Sequence, residues 1–483
     1  MKKIEINNFR SIEKAIMNFG EINFFIGDNN TGKSSTLKLI EALMQNSHLN
    51  FQNTFLYSEQ IENLKYNIKE PLEVLYKVNF ESEKQKEKNE IIENFEYLKI
   101  DSINNFDYPL IKTLIVPFFD EDFNNNEQKK FEFVKFDIDY EFKDYRPVIK
   151  QLDISIKYLS LIEYKNIIKK LKIKNLLNLD FEIKKSINFD VNQKNTKSKK
   201  DFYFYSINFL TRILNNSNKS VEFRIDILFD IYQLIKKENS TKIKEVHGLS
   251  RIFGTKKTKY IDPLRPILKD IYFKNEIDKE EKLQFVRKLN VNNSDLRIIS
   301  KFLKKSKMLE NLDIAKIKAK EFSSEAYKLS YKKYNKQNIP ISISGTGISQ
   351  IIPILFAILE KRNDKIFIEQ PEVHLHPRAQ AEFGTFISDY INNYSQKSTF
   401  KNNKILLKKQ FFIETHSLYM INRFRNEIKN NKLCDDNSRI TFFKNTSKKT
   451  IIESIKFNEF GEFDGKIDNF LKFFVDENIK NLS

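Results

Sequence analysis

One short segment near the start of the chain restricts the possible folds more than any other. Residues 27–34 read GDNNTGKS, which fits the phosphate-loop pattern G-x-x-x-x-G-K-[ST]. An apolar run of strand type, 22–26, precedes the loop, and 33–45 has apolar residues at helical spacing. Because this pattern binds phosphate between a strand and a helix, the sequence predicts an α/β fold with a nucleotide site close to its N-terminus.

Each residue type in the loop suits phosphate chemistry. Glycines allow backbone N–H groups to curl around phosphates at a helix N-terminus, where the helix dipole favours negative charge. The Lys33 ammonium would reach the β- and γ-phosphates, and the Ser34 hydroxyl would bind Mg²⁺. ATP and Mg²⁺ are therefore the expected cofactors. The residues of this loop predicted to bind nucleotide are Gly27, Asn29, Asn30, Thr31, Gly32, Lys33, Ser34 and Ser35.

The cysteine count and the lengths of the apolar runs indicate the cellular compartment. The chain has 483 residues and a single cysteine, Cys434, so no internal disulfide framework is possible and a reducing compartment fits. The N-terminus lacks an apolar signal region, and the apolar run IIPILFAILE, 351–360, is about half of a membrane span. We expect a soluble, cytoplasmic protein with no membrane partner.

The net positive charge of the chain has two possible explanations. A net charge of +18 suits a surface that neutralises nucleic-acid phosphates without regard to sequence. Asn, Lys and Ile are abundant throughout the chain, as an AT-rich genome would produce, so the same charge has a neutral explanation. Nucleic acid is a possible partner on charge alone.

The N-terminal arrangement resembles a known family. The opening MKKIEINNFRSIEKAIMNFGEINFFIG predicts two strands and a turn ahead of the phosphate-loop strand. This order resembles the ABC-type ATPase heads of chromosome-maintenance (SMC-like), RecF-like and OLD-like proteins. The resemblance implies an ABC-type P-loop head, with a mixed β-sheet and flanking helices, split by a largely helical insertion. It also implies a homodimer or higher homo-oligomer, because two such heads share their nucleotides.

A second glycine pair resembles the ABC signature motif. The segment 339–343 reads as a strand, SGTG follows, and a helix with apolar spacing comes next. The resemblance implies that Ser344, Gly345 and Gly347 bind the γ-phosphate of ATP held by a second subunit. Thr346 separates the glycines, so either Ser344 or Gly345 could take the place of the signature serine.

The segment KIFIEQPEVHLHP, 365–377, resembles a Walker B region. In ABC heads the carboxylate that ends this strand holds the Mg²⁺ shell and the next residue, a glutamate, activates water, so the resemblance assigns these positions to Glu369 and Gln370. An amide is no general base. The following PEVHLHP is typical of OLD-like and related bacterial ATPases, including a subgroup in which IEQPE itself is usual.

A third predicted strand, 411–413, runs into ETHS and then a helix. The resemblance makes His416 the switch histidine that contacts the γ-phosphate, a task suited to a side chain that donates to a phosphate oxygen. The predicted catalytic residues are thus Glu369, Gln370 and His416, and the predicted metal ligands are Ser34 and Glu369.

For each of four further residues the sequence allows two interpretations. Arg10, in NFRS, is either near the nucleotide or a surface arginine. Arg265, in KYIDPLRPILKDIYF, is either a phosphate or intersubunit contact or a surface residue. His374 and His376, with Glu372 nearby, are either zinc ligands or a pair that orients the loop or contacts a neighbouring subunit.

The order of the motifs predicts three regions. Residues 1–150 form the N-terminal lobe, with strand-rich stretches such as LEVLYKVNF and FEFVKFDIDYEF. Residues 151–320 form a mainly helical insertion, with helical patterns at 201–214 and 222–237 and a mobile loop at 188–201. Residues 321–483 form the C-terminal lobe.

Three functional hypotheses follow from the resemblance. Many stand-alone relatives belong to bacterial anti-phage systems such as Septu or PARIS, where an ATPase controls a toxic effector, often a nuclease. Others are RecF-type ATPases that act directly on DNA, and a non-hydrolysing ATP-bound scaffold is the third option. The chain ends too soon after His416 to hold a toprim nuclease domain, so we expect any cleavage to come from a partner protein.

Overall fold

A computed structural model describes the greater part of the chain. The described residues are 1–44, 65–67, 69–80, 92–103, 106–118, 131–143, 146–181, 183–188, 257–265, 267–273, 286, 293–317, 326–333, 338–360, 363–395 and 409–464. The chain forms two compact units. The first comprises Met1–Phe19, Asn30–Thr255 and Lys444–Ile452, and the second comprises Gly20–Asn29, Lys256–Phe443 and Glu453–Ser483.

The first unit is built on an eight-stranded antiparallel sheet with strand order β2-β1-β4-β5-β6-β7-β8-β9. Its strands are β1 (Lys3–Phe9), β2 (Ile12–Asn18), β4 (Leu72–Phe80), β5 (Ile92–Ile103), β6 (Phe106–Phe118), β7 (Phe131–Lys143), β8 (Arg146–Leu159) and β9 (Ile183–Asn188). The alternation of apolar and polar residues, clearest in β7, gives the sheet a buried face on which an apolar cluster forms.

The described helices of the first unit are α1 (Lys33–Met44), α2 (Leu161–Lys169) and α3 (Ile173–Leu177). The N-terminus of α2 has a capping box, in which the Ser160 hydroxyl and the Glu163 carboxylate each accept from the backbone of the other residue. Tyr164 of α2 packs edge-on against Phe133 of β7, with ring centroids 5.6 Å apart. The helix is thereby attached to the apolar face of the sheet.

The second unit is centred on a seven-stranded sheet with order β10-β15-β16-β3-β17-β18-β19. Its strands are β3 (Ile22–Gly27), β10 (Lys257–Ile261), β15 (Asn363–Glu369), β16 (Gln410–Glu414), β17 (Ser438–Asn445), β18 (Thr450–Phe457) and β19 (Phe463–Asp464). The first five strands in that order are parallel. Parallel strands buried on both faces have continuous apolar sequences, as INFFIG in β3 shows.

A row of aromatic rings crosses the five parallel strands. Its members are Tyr260, Phe367, Phe412, Phe25 and Phe443, with neighbouring centroids 4.7 to 6.4 Å apart. The rings of Phe367 and Phe412 are nearly parallel, with an interplanar angle of 6°. Such cross-strand aromatic pairs stabilise a sheet and fix its register.

The other face of this sheet carries helices and the main apolar core. The helices are α4 (Asn293–Lys305), α5 (Thr346–Leu359), α6 (Pro377–Ser395) and α7 (Leu418–Lys429), and an antiparallel group of short strands lies in the same unit, namely β11 (Ile271–Phe273), β12 (Asn311–Ile317), β13 (Ala326–Lys332) and β14 (Asn338–Pro340). Helix α5 is buried along nearly its whole length, as its almost unbroken apolar sequence requires. Among the described helices, none combines the length and apolar character that a bilayer crossing needs.

The fold confirms the predicted α/β class with a mixed sheet and flanking helices. The predicted division into regions 1–150, 151–320 and 321–483 stays a prediction; position 150 itself falls inside β8, and that sheet continues to β9. Strands also occupy much of the described part of 151–320. The helical patterns at 201–214 and 222–237 lie outside the described residues, as does most of the loop at 188–201, so a helical insertion stays a prediction.

Candidate functional site

Three neighbouring parallel strands of the second unit end at one edge of the sheet. Glu369 of β15 pairs with Glu414 of β16, and Glu414 pairs with Phe25 of β3. The phosphate-loop pattern begins at Gly27, and His416 lies two residues after the end of β16. Ligands of open α/β sheets bind outside the carboxyl ends of the strands. Three separate sequence motifs therefore meet where such a fold places its ligand.

The first turn of the loop requires glycine. Gly27 has φ +134°, and a Cβ atom there would lie 2.0 Å from the carbonyl oxygen of Phe443. The next amide, of Asp28, donates to that same carbonyl at 3.1 Å. The backbone thus turns sharply out of β3 at the only residue type that fits. Asn29 and Asn30 are exposed, and Asn30 has φ 58°.

The rest of the loop belongs to the first unit and leads into α1. Gly32 has φ +83° and accepts both the amide and the hydroxyl of Thr36 on its carbonyl at 2.8 Å. Thr31 and Lys33 are buried, whereas Ser34 and Ser35 are half-buried. Lys33 is the first residue of α1, so the loop residues stand at a helix N-terminus, as predicted.

The NFRS turn lies against this part of the loop. The Ser11 hydroxyl donates to the Thr31 carbonyl at 3.5 Å and accepts from the Thr450 hydroxyl at 2.8 Å. Arg10, beside Ser11, has φ 49° and is half-buried. Arg10 is therefore not a fully exposed surface residue, and its place near the nucleotide stays a prediction.

The end of β15 holds a buried carboxylate. Glu369 is only 6% exposed, and the Tyr260 hydroxyl donates to its Oε1. The following residue, Gln370, has φ 43°, a left-handed conformation that costs about 1–2 kcal/mol for a residue with a side chain. Its amide donates to the Glu414 carbonyl at 2.8 Å, which ties the turn to β16. A strained backbone at this position accords with a functional site.

Arg265 is buried, which removes the surface reading. Its Nη2 donates to the Glu369 carbonyl at 2.6 Å, and its own carbonyl accepts from Gln350 at 3.0 Å. Its Nε and Nη1 are buried and have no hydrogen-bond partner in the described part of the chain. Burial lowers the pKa of the guanidinium to about 10, although the nearby charges of Glu372, Asp262 and Glu369 oppose the change. Arg265 contacts the backbone at the end of β15.

The turn 371–376, here called the β15 turn, is bonded to the residues 415–417 that follow β16, here called the switch segment. The Glu372 carboxylate accepts from the His416 amide at 2.6 Å and from the Thr415 hydroxyl at 2.8 Å. Burial raises the pKa of Glu372, while these two donors act in the opposite direction. The His416 residue is half-buried. Glu372 therefore links the residues after β15 to those after β16.

The predicted signature segment differs in part from its expected form. Only Asn338–Pro340 is a strand, and Ile341–Ile343 forms a 3-10 turn before α5 begins. Gly345 precedes the helix and is exposed, and a Cβ atom there would have nothing within 4 Å. At Gly347 a Cβ atom would lie 2.5 Å from the His374 carbonyl oxygen. The two glycines thus have different tasks, and Gly347 allows α5 to pack on the β15 turn.

Ser344 lies two residues before the start of α5 at Thr346. Its hydroxyl oxygen is buried and has no hydrogen-bond partner among the described residues. The neighbours Ile343, Gly345 and Thr346 are exposed. This arrangement leaves a polar atom without a partner at an accessible helix N-terminus.

The histidine pair gives no sign of a metal centre. His374 and His376 are both exposed, and the His376 Nδ1 accepts from the Arg378 amide at 3.2 Å. The carboxylate of Glu372 is engaged by the switch segment instead. Within the described ranges, no group of three His, Cys, Asp or Glu side chains comes together as a metal site would require.

Sequence reasoning missed Tyr260 and Thr415. Both act through long-range contacts: Tyr260 is 109 positions from Glu369, and Thr415 is 43 positions from Glu372. The one available signal for Tyr260 was its place in the quoted run before Arg265. Nothing in that run indicates which strand it would pair with.

Comparisons with known proteins agree with a nucleotide-binding fold. A family model described as an AAA ATPase domain matches residues 1–421. An uncharacterised protein of Methanocaldococcus jannaschii, MJECL44, is 32% identical over 186 residues, which are 38% of this chain and 51% of that protein. The chain thus spans about half the length of the curated relative that it matches.

Similar solved structures include SMC heads. The SMC head domain from Thermotoga maritima has 10% sequence identity and a TM-score of 0.35, over 94% of this chain and 97% of that one. The SMC head with an extended coiled coil, bound to the C-terminal domain of ScpA, from Pyrococcus furiosus has 13% identity and a TM-score of 0.35, over 99% of each chain.

Proposed function

Because this chain belongs to the AAA ATPase domain family, we propose that it binds ATP with Mg²⁺, hydrolyses it slowly, and uses the nucleotide to regulate a separate effector. The observation that carries the proposal is the shared edge of β3, β15 and β16, where the start of the phosphate loop, Glu369 and the His416 segment lie together. Each of these three segments has a role in phosphoryl transfer in P-loop ATPases.

Residues of this chain have a defined task in binding the phosphates of ATP. The loop amides and Lys33 hold the phosphates, since backbone N–H groups at a helix N-terminus and an ammonium group both favour anions. His416 donates to the γ-phosphate and registers its loss. Glu372 fixes the backbone of His416, because its carboxylate accepts the His416 amide.

The oxygen donors fit Mg²⁺. A hydroxyl from Ser34 and a carboxylate from Glu369 are the hard ligands that this ion prefers. The Glu369 carboxylate is buried, and a buried anion is costly unless it is paired or coordinates a metal. When bound, Mg²⁺ neutralises negative charge on the phosphate oxygens.

Slow turnover is expected from Gln370. Its amide can orient a water molecule by hydrogen bonds but cannot take the proton, which passes to phosphate or solvent. A slow step after binding prolongs the ATP-bound state. Such a state suits a switch better than a motor.

We place the second half of the phosphate site on another copy of the chain. Ser344, Gly345 and Gly347 would contact the γ-phosphate of ATP in a homodimer, with Ser344 as the hydroxyl donor. The unpartnered Ser344 hydroxyl and the exposed Gly345 support this role. The nucleotide-closed dimer would then control an effector, of nuclease type, in bacterial anti-phage defence.

One observation favours a second candidate function. The net charge of +18 would allow the protein to bind DNA directly, as a RecF-type or SMC-type repair or maintenance ATPase. In that case ATP would control the protein's own hold on DNA. The two functions share the ATP site and differ in the partner.

The test of the ATP site is Lys33→Ala. Loss of a charge-assisted contact to phosphate costs about 3 kcal/mol, so ATP affinity should fall by at least about 100-fold, and any ATP-dependent dimer should be lost. Calorimetry measures the affinity and light scattering the dimer. Lys38→Ala, on the same helix but outside the loop, is the matched control and should bind ATP normally. Unchanged ATP affinity in Lys33→Ala would refute the assignment.

A further inference from the structure

Tyr260 lies beside the buried carboxylate that ends β15. It stands on β10, the strand parallel to β15, and its register partner is Phe367. Phe367 and Glu369 are two residues apart, so their side chains lie on the same face of β15. A long aromatic side chain on a neighbouring strand reaches a diagonal position two residues along. The Tyr260 hydroxyl accordingly donates to Oε1 of Glu369.

The ring that carries this hydroxyl stacks on an aromatic neighbour. It stacks on Phe367 with centroids 6.2 Å apart and an interplanar angle of 16°, and Phe367 stacks in turn on Phe412 at 4.7 Å. Phe367 and Phe412 are fully buried. Because aromatic packing restricts the ring, the hydroxyl is directed at the carboxylate without further ordering.

A second contact from the same segment fixes the backbone. Arg265, shortly after β10, donates from Nη2 to the Glu369 carbonyl at 2.6 Å. The side chain and the peptide of Glu369 are therefore both held by the segment Lys257–Arg265. Neither contact is part of the phosphate loop, the signature segment or the switch segment.

We propose that Tyr260 is a positioning residue for the Mg²⁺ site: its hydroxyl holds the Glu369 carboxylate in the orientation in which the metal shell is bound. The inference rests on the proposed function, since it requires Glu369 to serve that shell. One hydrogen bond to Oε1 is compatible with metal binding, because a carboxylate offers about four lone-pair directions. Outer contacts of this kind orient metal-binding carboxylates and typically contribute about 10–100-fold in metal affinity.

The variant Tyr260→Phe tests the proposal, because it removes the hydroxyl and leaves the ring stack intact. The readout is Mn²⁺ binding, followed by electron paramagnetic resonance in the presence of a non-hydrolysable ATP analogue. We expect Mn²⁺ affinity to fall by about tenfold. Affinity for the analogue in EDTA should be unchanged, because the phosphate loop is untouched.

Tyr272→Phe is the matched control. Tyr272 is buried in the same unit, and its hydroxyl accepts from the Lys269 amide at 2.9 Å. Removal of this hydroxyl therefore also breaks one structural hydrogen bond, but one that does not involve Glu369. Mn²⁺ affinity of Tyr260→Phe within about twofold of this control would overturn the role of Tyr260. Failure of the wild-type protein to bind the ATP analogue at all would instead overturn the proposed function on which the inference rests.

Discussion

At the scale of single residues, Gln370 is the position on which the proposed slow turnover depends. It directly follows Glu369, and its backbone is in a left-handed conformation with φ 43°. Two contacts hold it there: its amide donates to the Glu414 carbonyl, and Arg265 donates to the carbonyl of the preceding residue. The backbone at this position is thus fixed by neighbouring segments, and the side chain that it carries is an amide rather than a base.

The variant Gln370→Glu should increase ATP turnover by about tenfold or more, because a positioned general base typically contributes about 10²–10⁴-fold. Steady-state phosphate release from the full-length protein measures this. The control is Gln410→Glu, which adds the same charge at the opposite end of β16. Wild-type turnover of many per second, or no gain in Gln370→Glu, would count against a slow switch.

At the scale of elements, the β15 turn connects three segments. Gly347 of α5 packs against its His374 carbonyl, Glu372 bonds the switch segment, and Arg265 holds the strand end that precedes it. A shift of α5 would therefore displace the turn, because Gly347 lies against its backbone. Through Glu372, the displaced turn would then move the backbone of His416.

Gly347→Ala should destabilise the protein, although alanine is usually the better helix former. The new Cβ would meet the His374 carbonyl oxygen at 2.5 Å, and overpacking of this kind costs about 1–3 kcal/mol. Gly345→Ala is the control in the same segment, since its Cβ would contact nothing within 4 Å. Urea denaturation of both variants decides the matter, and equal stabilities would contradict the packing role of Gly347.

At the scale of the whole molecule, each of the two units has its own sheet and its own apolar core. The charge of +18 belongs to the chain as a whole and is compatible with either proposed partner. The distinction between an effector protein and DNA therefore depends on binding measurements.

We expect the isolated protein to bind duplex DNA equally with and without ATP, and to lose most of that binding between about 50 and about 200 mM salt, as non-specific binding does. A companion protein should copurify at fixed stoichiometry from the native host. Fluorescence anisotropy with Lys33→Ala as the control measures the first part. Strong, ATP-stimulated DNA binding without any companion would favour the repair function instead.

Much of the fold around the loop could be predicted because its signals are local. The strand before Gly27, the helix from Lys33, and the strands and helices that flank Glu369 and His416 all have the predicted type. The boundaries of the units could not be predicted, because one of them passes through the phosphate loop between Asn29 and Asn30. The catalytic and ligand roles of the site residues stay predictions.

The sequence by itself determined that a phosphate-loop pattern, a carboxylate at a strand end and a histidine after another strand occur in this order, since each depends on residues close together in the chain. Only the tertiary structure decided what surrounds them. Tyr260 and Arg265 reach Glu369 across 109 and 104 positions, which a single sequence cannot reveal. The physical reason is strand pairing, because parallel neighbours are brought together by the sheet and leave no periodic signal in either strand.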